Sequence, residues 1–212
     1  MIKYLIYYVL IISGFVSQAW ANDAINIPDV HIGDLWKYRI IDGYTNETTL
    51  EFSHRIVRID DKEIVIQVQN KQNSGRRLQY FNREWNLLES GEIKWEPYNP
   101  ENKFPLQVGM TWNQEVKASN NHGGTHSIYT KAIIVALEKV NVPAGIFDAY
   151  RIERDIEERS NNSDATVIKS RDVIWYAPAV KKFVRRENIV YSNGRERSKE
   201  IIELTEYSLK EK

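Results

Sequence analysis

Four histidines and a scatter of carboxylates are the residues from which chemistry could be built in this chain of 212 residues. His122-Gly123-Gly124-Thr125-His126 places two imidazoles four positions apart. On a helix that spacing would present both to one zinc ion, but two glycines lie between them, the segment reads as loop, and no third ligand stands nearby. His54 falls on the apolar face of a strand pattern, where a histidine is expected as a neutral core or rim residue. A general base would also need a nucleophile and an orienting acid. His31 sits near Asp29 and Asp34 and reads as exposed. Glu153, Asp155, Glu157 and Glu158 are interleaved with Arg151, Arg154 and Arg159, which reads as a solvated, self-neutralising strand end. Asp60-Asp61-Lys62-Glu63 lacks the ligand spacing and the glycine of a calcium loop. No nucleophile elbow, phosphate-cradling glycine loop or dinucleotide fingerprint is found. These residues point to no catalytic group, no metal and no cofactor, and to a protein that is not an enzyme.

The absence of cysteine excludes disulfides, thiolate metal sites and an acylated cysteine anchor. Basic and acidic residues balance at 29 each, so no nucleic acid partner is expected. The one basic cluster, Lys181, Lys182, Arg185 and Arg186, is split by alternation between two sheet faces and reads as a solvated edge. The chain opens with Lys3, an apolar run from Tyr4 to Val16 and the triplet Ala19-Trp20-Ala21. That order is a secretory signal over residues 1–21, cleaved after Ala21. As a helix the run would rise about 20 Å, short of the ~30 Å hydrocarbon core. No later stretch is long and apolar enough to span a bilayer. The expectation is a soluble periplasmic protein over residues 22–212, held together by its hydrophobic core.

The elements that must position any site are strands. Thr48–Ile59 alternates, with Leu50, Phe52, His54 and Ile56 on one face and Glu51, Ser53 and Arg55 on the other. Ile64, Ile66 and Val68 answer across Asp60-Asp61-Lys62, completing a hairpin. Later, Lys182–Tyr191 pairs through Ser192-Asn193-Gly194 with Arg197–Leu209. No segment longer than two turns has a helical period. The pattern predicts an all-β protein of ten or eleven antiparallel strands in a curved sheet or half-open barrel. It is read as a single β domain with a sub-unit boundary near residues 99–105, where Pro100 and Pro105 flank polar filler. An internal echo leaves open two duplicated β units: Ile32-Gly33-Asp34-Leu35-Trp36 against Val108-Gly109-Met110-Thr111-Trp112, then Tyr80-Phe81-Asn82 against Trp175-Tyr176-Ala177.

Val140-Asn141-Val142-Pro143-Ala144-Gly145-Ile146-Phe147-Asp148-Ala149 and Ile174-Trp175-Tyr176-Ala177-Pro178 resemble the V-P-A-G-x-F-D-A and W-Y-A-P motifs of a group of bacterial exported proteins of unknown function, the TapB-like proteins. The resemblance runs from about Gly33 to Leu209. Such proteins are similar to the half-open barrels of the periplasmic lipoprotein carriers, which implies a curved sheet around an apolar groove. Lys181 and Lys182 depart from the small residues that usually follow the W-Y-A-P turn, and no helices of the kind that lid the carriers are found. Read from the residues alone, Pro143-Ala144-Gly145 is a turn, and Phe147, Tyr150 and Trp175 anchor the adjoining strands. Buried that way, Trp175→Ala would cost about 3–5 kcal/mol.

Aromatics without a catalytic constellation suggest a non-enzymatic binding or carrier module for a lipid or other apolar or amphipathic ligand, with Phe52, Ile56, Tyr150 and Trp175 as cavity candidates. The alternative is a structural or assembly factor that binds another envelope protein through free sheet edges.

Overall fold

A computed structural model describes residues 24–70, 75–161 and 167–211. The signal segment, residues 1–21, lies outside these, as does part of the polar turn around Ser160–Asp164. Twelve strands follow one another: β1 (Leu35–Asp42), β2 (Thr48–Ile59), β3 (Glu63–Asn70), β4 (Arg76–Asn82), β5 (Leu87–Ser90), β6 (Ile93–Asn99), β7 (Thr111–Asn120), β8 (Thr125–Val142), β9 (Gly145–Ser160), β10 (Val167–Ala177), β11 (Lys182–Ser192) and β12 (Arg195–Ser208). Each pairs antiparallel with the next, and β12 pairs with β1, so the sheet closes into an up-and-down barrel. The expected half-open sheet is therefore shut. Among the described residues, every strand has a neighbour on both sides. The strand that periodicity missed is β5, whose Leu87-Leu88-Glu89-Ser90 is too short to show an alternation.

Turn chemistry sets the register. At the β2–β3 turn, Asp60 Oδ1 accepts from the backbone N–H of Lys62 and of Glu63, both at 3.0 Å. Between β11 and β12, Asn193 and Gly194 have φ of 52° and 71°, the conformation of a two-residue hairpin turn that matches strand twist. Asn120 Oδ1 accepts from His122 N and Gly124 N, which orders the β7–β8 hairpin where the sequence reads as loose.

The sequence echo has a geometric counterpart. Gly33 at φ 95° donates to Ile56 O and Ile56 N returns to Asp34 O; Gly109 at φ 88° donates to Ile134 O and Ile134 N returns to Met110 O. Each glycine permits a backbone turn that an L side chain would strain. Each turn delivers a tryptophan, Trp36 or Trp112, into β1 or β7, the first strand of six. The segments before the two turns also pair with each other, Ile25 with Leu106.

In a meander all odd strands start at one end. That end, the base, is packed solid. Trp36, Ile64, Ile66, Leu106, Ile134, Ile152, Val180, Val184 and Leu204 are buried there or just above it, with Val30 and Leu106 brought in by the connecting segments. Trp36 Nε1 donates to Val180 O at 2.8 Å, satisfying the indole inside the core. Asp34, fully buried, accepts from His31 N and Lys210 N, tying both ends of the barrel chain to the base. The outer face carries cross-strand ion pairs, Lys37–Glu206, Lys139–Asp148, Arg171–Glu153, and Arg39 with Arg185 on Glu203. A lipid-facing barrel would carry an apolar band there instead. No helix of the described residues is long and apolar enough to cross a membrane.

Candidate functional site

Above the packed base the barrel holds a cavity of about 520 Å³, within the range of small-molecule sites. Alternation builds its wall. Ile40 on β1, Leu50 and Phe52 on β2, Val68 on β3, and Ile202 on β12 turn inward at successive registers. Phe52 stacks on Tyr38 at 5.4 Å between centroids, and Tyr38 stacks on Phe183 at 4.6 Å. Toward the base the lining becomes polar: His54, Gln79, Trp85, Asn102, Tyr176 and Lys182.

Lys182 follows a single 3-10 turn, Pro178–Val180, closed by Lys181 in the left-handed conformation at φ 61°. The turn shifts the β10–β11 register so that Tyr176 faces Phe183 and Ala177 faces Lys182. Lys182 thereby points inward and is 4% exposed. Its ammonium lies 3.8 Å from the ring centre of Trp85, 5.0 Å from Phe81 and 5.3 Å from Trp36. The rings themselves meet edge-on, Trp36 to Trp85 and Phe81 to Trp85. Three aromatic faces around one cation is cation–π geometry. Burial nevertheless lowers the Lys182 pKa to about 7, against an upward pull from Glu101. His54 is held well below its usual value by burial and then by the charge of Lys182, so it is neutral here.

A second group of charges runs across the adjacent strands β9, β10 and β11. Arg154 on β9 and Asp172 on β10 are direct cross-strand partners, both buried. Arg154 Nε donates to Asp172 Oδ2 at 2.9 Å, and its Nη1 donates to Pro100 O at 3.1 Å and Asn99 Oδ1 at 3.3 Å. Arg186 Nε donates to the other Asp172 oxygen at 2.8 Å and its Nη1 to Glu101 Oε1 at 3.1 Å. Burial alone would raise the Asp172 carboxyl, but the guanidiniums of Arg186 and Arg154 outweigh it and hold the carboxyl below its usual range. Both acids are thus committed to the two arginines.

Several polar atoms at the polar end have no partner among the described residues: His54 Nδ1, Gln79 Oε1, Trp85 Nε1, Asn102 Oδ1 and the Tyr176 hydroxyl. Buried polar groups are almost always hydrogen-bonded. The five belong to residues that line the cavity, but the atoms themselves are shut off from it and lie behind its wall.

Of the four residues read from sequence as cavity candidates, Phe52 lines the cavity. Ile56 and Tyr150 are buried in the packed core. Trp175 is half-buried on the outer face, because alternation turns its neighbours Ile174 and Tyr176 inward. Its Nε1 donates to Glu138 at 2.7 Å and Arg185 lies over its ring. Two charge readings are corrected. Lys182 and Arg186 belong to the interior and not to a solvated edge. Arg154 leaves the charged strand end to which it was assigned, because β9 continues through that segment and keeps Arg154 in phase with Ile152. The outer histidines find acids: His122 Nε2 lies 3.2 Å from Glu92 and His126 Nδ1 lies 2.8 Å from Glu158. No group of three or more potential metal ligands occurs among the described residues.

No family model and no curated protein matches the sequence. The fold does recur. A candidate lipoprotein from Parabacteroides distasonis superposes with TM-score 0.57 at 17% identity, over 88% of this chain and 100% of its own. A candidate exported protein with YmcC-like fold from Bacteroides fragilis gives 0.55 at 16% identity, over 87% and 99%. The hypothetical lipoprotein YmcC of Escherichia coli gives 0.48 at 9%, over 82% and 83%.

Proposed function

We propose that this chain is an exported, non-enzymatic binding or carrier module of the periplasm that takes an amphipathic ligand into its barrel. The observation that carries the reading is an interior cavity whose wall changes from apolar to polar side chains, with the buried Lys182 at its floor. A ligand with an apolar body and a polar end would bury the first and satisfy the second. Export is supported by the signal pattern of residues 1–21, and the Bacteroides and Parabacteroides structures of the same fold carry descriptions as exported protein and lipoprotein. The two acids at the cavity, Asp172 and Glu101, are spent on Arg154 and Arg186, which favours a binding role over acid–base catalysis. Pairing with an envelope protein through sheet edges has less support, since every strand has a neighbour on both sides among the described residues and the one incomplete seam of note is β7 over residues 111–116.

Native mass spectrometry of protein purified from its own cell envelope is the test. A co-purifying small amphiphile, displaced by organic extraction and restoring a change in tryptophan fluorescence on return, is the expected result. Protein that carries no ligand and whose fluorescence is unmoved by any amphiphile refutes the reading.

A further inference from the structure

The floor of the cavity has more chemical character than an amphipathic ligand alone requires. The inward-facing ionisable groups there come from four places: His54 on β2, Glu101 in the connection after β6, Asp172 on β10, and Lys182 and Arg186 on β11. Arg154 on β9 completes them. Asp172 neutralises one of the two arginines and Glu101 the other. His54 is uncharged. Lys182 is left as the cation without a carboxylate of its own, and its ammonium rests against aromatic faces that offer it no proton acceptor. A buried cation in that position is costly to keep charged.

We propose that this floor is an anion site for the head group of a single-chain amphiphile, with Lys182 as the charged anchor. The proposal rests on the cavity being the binding site and adds the charge of what it binds. An incoming carboxylate or phosphate supplies the partner that the protein withholds from Lys182. The alkyl body then runs along Phe52, Leu50 and Ile40 toward the end of the barrel where Arg76 and Asn70 stand. Anion binding should in turn keep Lys182 protonated above its ligand-free value of about 7.

The experiment compares laurate, dodecyl phosphate and 1-dodecanol, which share a chain and differ in head, by titrating tryptophan fluorescence of the mature protein and of Lys182→Met. Near pH 6 we expect at least one of the two anions to bind wild-type protein about tenfold or more tighter than the alcohol, the worth of a charge-assisted hydrogen bond in a dry site. The stronger of the two identifies the head group as carboxylate or phosphate. Near pH 9 that preference should fall at least severalfold as Lys182 sheds its proton, and in Lys182→Met it should vanish. Anions and alcohol binding within about threefold of each other near pH 6, or an undiminished preference in Lys182→Met, overturns the anion site and leaves the apolar cavity standing. Binding of none of the three overturns both. The pH series on wild-type protein decides the matter even where the variant fails to fold.

Discussion

Replacing Asp172 with asparagine should unfold this barrel more readily than any other single charge change. Asp172 is fully buried, and both of its oxygens are occupied, one by Arg154 and one by Arg186. Asparagine keeps the shape and one acceptor but removes the charge. Arg186 retains Glu101 and is about a quarter exposed, so water shares its cost. Arg154 is wholly buried and keeps only Asn99 Oδ1 and Pro100 O. An uncompensated buried guanidinium of this kind costs about 3–5 kcal/mol. Urea unfolding of a chain this size has a slope of about 2–3 kcal/mol per molar, so the midpoint should drop by roughly 1–2 M. The sign with pH follows from the depressed carboxyl. A folded pKa below the unfolded one gives stability that is complete above about pH 4, the unfolded value, and is lost as pH falls through the folded value. Wild type and Asp172→Asn should therefore differ fully at neutral pH and converge in acid. A neutral-pH loss below about 1 kcal/mol, or a difference that does not shrink in acid, would refute the claim that this carboxylate holds two buried cations.

Three further outcomes can be checked by the same denaturation. Trp36→Ala, which empties a fully buried site and frees the Val180 carbonyl, should cost about 3–5 kcal/mol, whereas the outward-facing Trp175→Ala should cost about 1–2; equal losses would contradict the assigned faces. Lys182→Met should raise stability by about 2 kcal/mol below pH 7, because the folded state there keeps a buried cation that the unfolded chain solvates, partly offset by the aromatic cage. That gain should decline between about pH 7 and pH 10.4, where the unfolded chain still holds the proton and the folded one does not; a gain that grows with pH would show the assignment is reversed. Gly109→Ala meets no atom within 4 Å but keeps φ at 88°, so it should cost about 1–2 kcal/mol from backbone strain alone; a neutral result in thermal melts would mean that the turn relaxes.

Most strand positions were legible because one barrel face is wet and the other dry, which imposes a period of two. Asn193-Gly194 announced its hairpin for the same local reason. The four-residue β5 was not legible, nor was closure, which depends on β1 meeting β12 far away in sequence. The interior charges were a different kind of miss. Arg154 stands in phase with Tyr150 and Ile152, Asp172 with Ile174 and Tyr176, and Arg186 with Val184. The alternation places them inside, but charged residues count as surface in a hydropathy pattern, so Arg154 reads as part of a charged strand end and Arg186 as part of a solvated edge. Lys182 was hidden by another device: the 3-10 turn and the register shift at Tyr176 decide which of two adjacent lysines enters the barrel. No spacing rule predicts that bulge.

The tie between Asp34 and Lys210 has a consequence for how the chain could be rewired. Lys210 N donates to the Asp34 carboxylate at 2.7 Å, so the start of β1 and the end of β12 lie side by side at the base. The β1–β12 ladder joins positions such as Trp36 and Tyr207 across almost the whole sequence, and a ring-closing pairing of that span carries the largest loop entropy in the fold. At the other join between halves, β6 meets β7 only over residues 93–96 against 117–120. A circular permutant that links the two old ends and opens the chain between β6 and β7 would exchange these roles. The most distant pairing would become a hairpin, and the thinnest seam would become the last to zip. Such a permutant should have lower contact order and fold faster than the natural order of strands, with the two six-strand halves simply transposed along the gene.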